Sequence, residues 1–305
     1  MKLSVFIFYY FQFSKAMKIR PIISRTKATL GGPIARLVGT VDCDGSGMLH
    51  PLHDVDPFVL CDVAKIPKAN MPDFGAHPHF GCIACSVVIE GGLLDRDSVT
   101  RKEFAEPSKS GDVYAASAGR GIYHEEVSAC PSYMLQVIVR IPRAKLDLPP
   151  AVLKASYDQL PVTTENAKIL YGTLQGKTSP ATPEAWPDCF MLRLKAKDTP
   201  KLSIPDTYPH GFCFAIYGSG SVCGEPLTQN EVLVFGGNGD SLTFEADSDD
   251  FEVFVGSGLP LPEPWIKLKG NNGFGIFIND LEARDIMTQA AAAGESWNYL
   301  TPKSS

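Results

Sequence analysis

The sequence predicts a mainly all-β protein made of two β-barrels and closed by a short C-terminal helix. Three features carry that reading. Glycine and proline, 27 and 24 copies, interrupt the chain at short intervals. Between them lie short runs rich in β-branched and aromatic residues: Cys82–Glu90 (CIACSVVIE), Tyr133–Ile141 (YMLQVIVRI), Gly211–Tyr217, Glu231–Phe235 and Phe251–Val255. Short strands separated by frequent turns belong to sandwiches and barrels. The second half then repeats the organisation of the first, so two similar barrels are expected.

The elements follow in order. Residues 1–17 read as an extension, in which Leu3–Phe13 (LSVFIFYYFQF) is apolar but too short to span a membrane. It reads as an upstream start-site extension, a targeting peptide, or an added strand or partner-binding arm, with Met17 opening the domain proper. Residues 18–142 make the first barrel. Pro142–Pro183 is richer in Pro, Lys, Thr and Ser and reads as a connection between two β units, with a little local structure. Residues 143–305 make the second barrel and the final helix. Asn279 suits the helix cap, Glu282 its third position and Gly294 its end, with Leu281, Ile286 and Met287 as the apolar stripe.

Composition bounds the function. The 305 residues are 44% apolar and 20% charged, enough to bury a core in each barrel. The formal charge is 28 − 34 = −6, without the clustered basic footprint that direct nucleic-acid binding needs. The eight cysteines are scattered, several within strand-like runs, and read as reduced, mostly buried thiols. Cys82 and Cys85 form a C-x-x-C pair, but no second pair completes a zinc site, and they lie in a strand-like run rather than at a helix start.

Histidines are scarce, six in all, and two form His77-Pro78-His79. Residues two apart in a strand share a face, so both imidazoles project into one space. Downstream, Gly119-Arg120-Gly121 marks a turn into a second strand carrying His124 and Glu126, again two apart, with Glu125 turned away. Two strands each offering two ligand-type side chains suit one metal. Spacing alone weighs that reading no more heavily than chance alignment of ordinary strand residues.

At these residues the sequence resembles a known family. G-A-H-P-H-F-G (75–81), E-G-G with D-R-D-S (90–98), and G-D-V-Y-A-A-S-A-G-R-G-I-Y-H-E-E (111–126) resemble the pirin version of the two cupin motifs. Asp56-Pro57-Phe58, Glu263-Pro264 and Gly275–Asp280 (GIFIND) extend the likeness to about Arg20–Trp297. It is specific at the motifs and loose across Pro142–Pro205.

The resemblance implies a bicupin with metal in the first barrel only, held by His77, His79, His124 and Glu126. It implies iron, one divalent ion per chain, most naturally Fe(II). It also implies either of two functions. One is quercetin 2,3-dioxygenase-type opening of a flavonol by dioxygen, with Glu126 as the catalytic proton acceptor. The other is an iron- and redox-responsive co-regulator that binds a transcription factor in the nucleus or cytoplasm without turnover.

Two positions depart from the family's usual H-P-H-R-G-F-E-T. Phe80 replaces the arginine, removing a charge near the rim. Ile83 replaces the glutamate and is expected to share the inward face of His77 and His79. Ile83, Cys85 and Val87 are then expected to line the pocket, leaving Glu126 as the only carboxylate beside the metal. In the second barrel His210 stands alone, and no metal is expected there.

Overall fold

The computed structural model describes residues 18–39, 55–70, 75–101, 106–269 and 274–277, with 281, 282 and 285. Four sheets form four layers. One seven-stranded sheet runs in the order Ala151–Ala155, Val113–Ser117, Cys82–Glu90, Ser132–Arg140, Phe58–Ile66, Ile34–Val38, Thr29–Gly31. A six-stranded sheet completes the first barrel: Ile266–Lys269, Phe274–Phe277, His77–Phe80, Ile122–Ser128, Gly92–Asp97, Ser108–Lys109. The second barrel pairs another seven-stranded sheet with a four-stranded one.

Among the described residues, three large apolar cores lie between the sheets. Cys82, Ala84, Tyr114, Ile122 and Ile138 lie inside the first barrel. Phe190, Phe235, Phe244 and Phe251 fill the second. Between them the two seven-stranded sheets face each other, with Ile83, Cys85 and Val137 of one packed in the same core as Phe212, Phe214 and Phe254 of the other. The strand Cys82–Glu90 is therefore enclosed on both faces, and its first eight residues are all buried. That double burial is why its sequence is a continuous apolar run rather than an alternation.

The ends of the chain are exchanged between barrels. Ile22–Lys27 pairs antiparallel with Glu231–Phe235 in the second barrel. Just before it, the buried Arg20 donates to the carbonyls of Tyr208 and Pro205, each at 2.7 Å. Conversely, Phe274–Phe277 runs parallel to His77–Phe80 in the first barrel, with Phe274 opposite His79. The division into 18–142 and 143–305 expected from sequence is thus not the division of the sheets. A strand joins whichever free edge its hydrogen-bonding groups can satisfy, and proximity in sequence does not fix that edge.

The connection Pro142–Pro183 also holds more structure than expected. Ala151–Ala155 completes the first barrel against Val113–Ser117, and Lys168–Leu174 enters the second against Cys189–Lys195. At the other end Leu281, Glu282 and Asp285 are helical. The remaining residues assigned to that helix, Asn279, Ile286, Met287 and Gly294, lie outside the described residues, as does the extension 1–17.

A buried clasp ties the exchanged tail down. Arg140 Nε lies 2.7 Å from Asp56 Oδ1, and its guanidinium donates to the carbonyls of Leu261 and Glu263 and stacks over Trp265. The Leu261 amide in turn donates to Asp56 Oδ2. The Asp-Pro-Phe and Glu-Pro segments noted in the sequence are the two sides of this clasp. Elsewhere, Cys82 and Cys85 belong to different cores, on opposite faces of their strand, and all seven described cysteines are free thiols. No helix among the described residues is long and apolar enough to cross a membrane.

Candidate metal centre

The strand Ile122–Ser128 runs antiparallel to His77–Phe80, with His124 opposite His77 and Ile122 opposite His79. This register brings together the three imidazoles that the two sequence pairs supply. Their ring centroids lie 4.8 to 4.9 Å apart, and one ring nitrogen from each falls within 4.8 Å of the others. His79 and His124 are buried and His77 is half-buried, so the group opens on the His77 side.

The donor atoms suit a cation. His77 Nδ1 lies 2.9 Å from the Gly75 carbonyl, which makes Nδ1 the protonated nitrogen and leaves Nε2 with its lone pair. Both ring nitrogens of His124 are buried without a hydrogen-bond partner among the described residues. Burial, then the neighbouring His79 and His77, hold His124 well below the usual imidazole range, so it is neutral. Three imidazoles facing one another, one with orphaned nitrogens, are expensive to bury empty and inexpensive to bury around a metal. Among the described residues this is the one such group of three.

Glu126 lies beside the trio. Its Oε2 is 3.9 Å from His124 Nδ1, and its Oε1 accepts from Ser86 Oγ at 2.5 Å. Ser86 also lies 2.7 Å from the side-chain amide of Gln136. Burial pushes the Glu126 carboxyl up to about 7, against the Ser86 hydrogen bond. Glu125 takes the opposite face, where its carboxylate accepts from Arg96 Nε at 2.6 Å.

Three expectations are corrected here. Ile83, Cys85 and Val87 do not line the site: all three belong to the core between the barrels. Gly81, at φ +63°, ends the His77–Phe80 strand, so face alternation does not carry across it. A Cβ at Gly81 would fall 2.1 Å from the Ile276 carbonyl, which makes the glycine obligatory. The residues facing inward are Cys82, Ala84 and Ser86. Phe80 is buried, on a strand that pairs with Phe274–Phe277 in the same sheet, and is not exposed at a rim. Nor is Glu126 the only carboxylate, because the buried Asp95 stands directly opposite it on the next strand. Asp95 is paired with Lys154 Nζ at 2.6 Å, and burial raises its carboxyl despite that partner.

Sequence reading thus missed Ser86, Asp95, Tyr114, Gln136 and Lys154. Two carried a signal. Ser86 is the one hydroxyl in an otherwise apolar run, and Asp95 alternates with Asp97 in the D-R-D-S stretch. His210 joins no metal-ligating group of three among the described residues; it is half-buried at the start of its strand, and its own carbonyl accepts from Ser257 Oγ.

Two barrels, face to face, with one three-histidine metal-binding group in the first, define a bicupin. Residues 42–138 match the family model described as Pirin. The chain is 26% identical to Pirin-like protein 2 of Arabidopsis thaliana over 77% of this chain and 73% of that protein. Its fold is shared with a quercetin 2,3-dioxygenase of Acinetobacter baumannii, at TM-score 0.71 and 19% identity over 91% of this chain and 98% of that one. It is shared too with a bacterial pirin of Escherichia coli in complex with nickel(II), at TM-score 0.58 and 16% identity over 78% and 99%.

Proposed function

We propose that this chain is a metal-dependent pirin-type dioxygenase that opens a flavonol ring with dioxygen, using one iron-type ion held by His77, His79, His124 and Glu126. The observation that carries the reading is the buried three-histidine group with its orphaned His124 nitrogens and a carboxylate alongside. Imidazoles with one carboxylate and open positions favour non-haem iron, and also admit manganese, nickel or copper. When bound, such an ion supplies Lewis-acid polarisation of a substrate hydroxyl and a place for dioxygen.

The chain's own groups do the rest. Glu126, the carboxylate beside the histidines, is placed to take the hydroxyl proton of a flavonol and return it. Ser86 steadies Oε1 and leaves Oε2, the oxygen nearer the histidines, for that proton.

The test is aerobic turnover of quercetin by iron-loaded protein, followed by oxygen uptake and carbon monoxide release, with His79→Ala as the control. We expect slow, metal-dependent turnover. Full iron occupancy without oxygen uptake for any flavonol would defeat the enzyme reading, and the same centre would then be a metal-responsive surface for a protein partner.

A further inference from the structure

Tyr114 is fully buried, and its hydroxyl has no hydrogen-bond partner among the described residues. That is anomalous, because buried tyrosine hydroxyls ordinarily find one, and leaving a buried polar group unpaired is destabilising. A phenylalanine would fill the same volume without that cost. The placement is also specific. The Tyr114 ring lies parallel to the His124 imidazole, at 6° and 6.2 Å between centroids. Its strand neighbour is Ser86, the residue that donates to Glu126. Of the charged groups, Glu126 acts on the hydroxyl most strongly.

The backbone beneath it is braced from the other barrel. The Tyr171 hydroxyl reaches the Tyr114 carbonyl at 2.7 Å and the Ser86 carbonyl at 2.8 Å. The phenol is therefore held in place while its one donor is unused, on the same wall as the groups that contact Glu126.

We propose that Tyr114 is a ligand-contacting residue, whose hydroxyl donates a hydrogen bond to an anionic oxygen or small anion bound at the His77–His79–His124 group. The inference rests on the metal reading above. It assigns the site a preference for ligands that present a negatively charged acceptor beside the metal, such as a deprotonated ring hydroxyl.

The experiment compares wild type with Tyr114→Phe, each loaded with cobalt(II), using azide as the probe and the visible cobalt bands as the readout. Metal content and melting temperature are measured first. Tyr114→Phe should keep both and weaken azide binding about tenfold, the equivalent of ~1.4 kcal/mol. Tyr114→Met, which also lacks the hydroxyl, carries the same comparison if the phenylalanine variant is insoluble. Unchanged azide affinity at full cobalt occupancy would overturn this inference alone. A fall in cobalt affinity with azide affinity intact would also overturn it, assigning the hydroxyl to Glu126 instead. Failure of the wild type to take up any divalent metal would defeat the metal reading and this inference with it.

Discussion

The two barrels share a plan and differ in what fills them. Inside the second, the side chains of Phe190, Phe235, Phe244 and Phe251 occupy the space between the sheets. Inside the first, Cys82, Ala84, Ala116 and Ala118 contribute small side chains beside Tyr114, Ile122 and Ile138. The volume that aromatic rings take in one barrel is taken in the other by three histidines, Glu126 and the polar groups around them. A barrel of this size has room for side chains or for a site. The second barrel contributes in another way: its Tyr171 braces the strands behind the site, and the tail that follows it covers the His77–Phe80 strand.

The largest expected effect tests the asymmetry itself. His79→Ala should weaken metal binding by more than the roughly 100-fold that loss of an outer partner costs, whereas His210→Ala should change nothing. Elemental analysis giving about one ion per chain supports the comparison. Two ions, with one lost in the His210 variant, would break it.

The clasp comes next. Arg140→Met leaves Asp56 buried without its partner and should destabilise the protein by about 3–5 kcal/mol. A urea midpoint that barely moves would mean that the exchanged tail is held by its strand pairing alone.

The two adjacent glutamates sharpen the contrast within the first barrel. Glu126→Gln should weaken metal binding by about tenfold or more, while Glu125→Gln, which loses only its pair with Arg96, should leave it nearly intact. The pH dependence follows from the same residue. Burial raises Glu126 from its ordinary 4.5 to about 7, so the fold favours the protonated form. That contribution is complete below about pH 4.5 and is lost as pH rises through 7. Metal-free wild type should therefore lose up to about 3 kcal/mol relative to Glu126→Gln across that range, read from urea titrations at each end. Metal uptake should run the opposite way and strengthen as pH rises through 7, because the ion needs the carboxylate.

The smallest effect tests the brace. Tyr171→Phe removes the hydroxyl shared by the Ser86 and Tyr114 carbonyls and should cost about 1–2 kcal/mol. It should also loosen metal binding in the first barrel a few-fold, although Tyr171 belongs to the second. Loss of stability with no change at the metal would show that the brace is structural only.

Local sequence determined a good deal of this molecule. The short runs between glycines and prolines specify β-structure, because that pattern suits strands and turns wherever they pack. His77 with His79, and His124 with Glu126, share faces because alternation is a property of a single extended strand. His210 is the single histidine of residues 143–305, so that half of the sequence does not by itself supply a second three-histidine group. Tertiary structure decided what lies beyond one strand. It set which face of Cys82–Glu90 looks inward, because Gly81 interrupts the alternation that would have placed Ile83 beside the histidines. It set which sheet edges receive the two chain ends, since edges are matched by hydrogen bonding across more than 200 residues. And it placed Asp95, Lys154 and Tyr114 around Glu126, because a residue's neighbours across a barrel depend on register and closure, which no local pattern encodes.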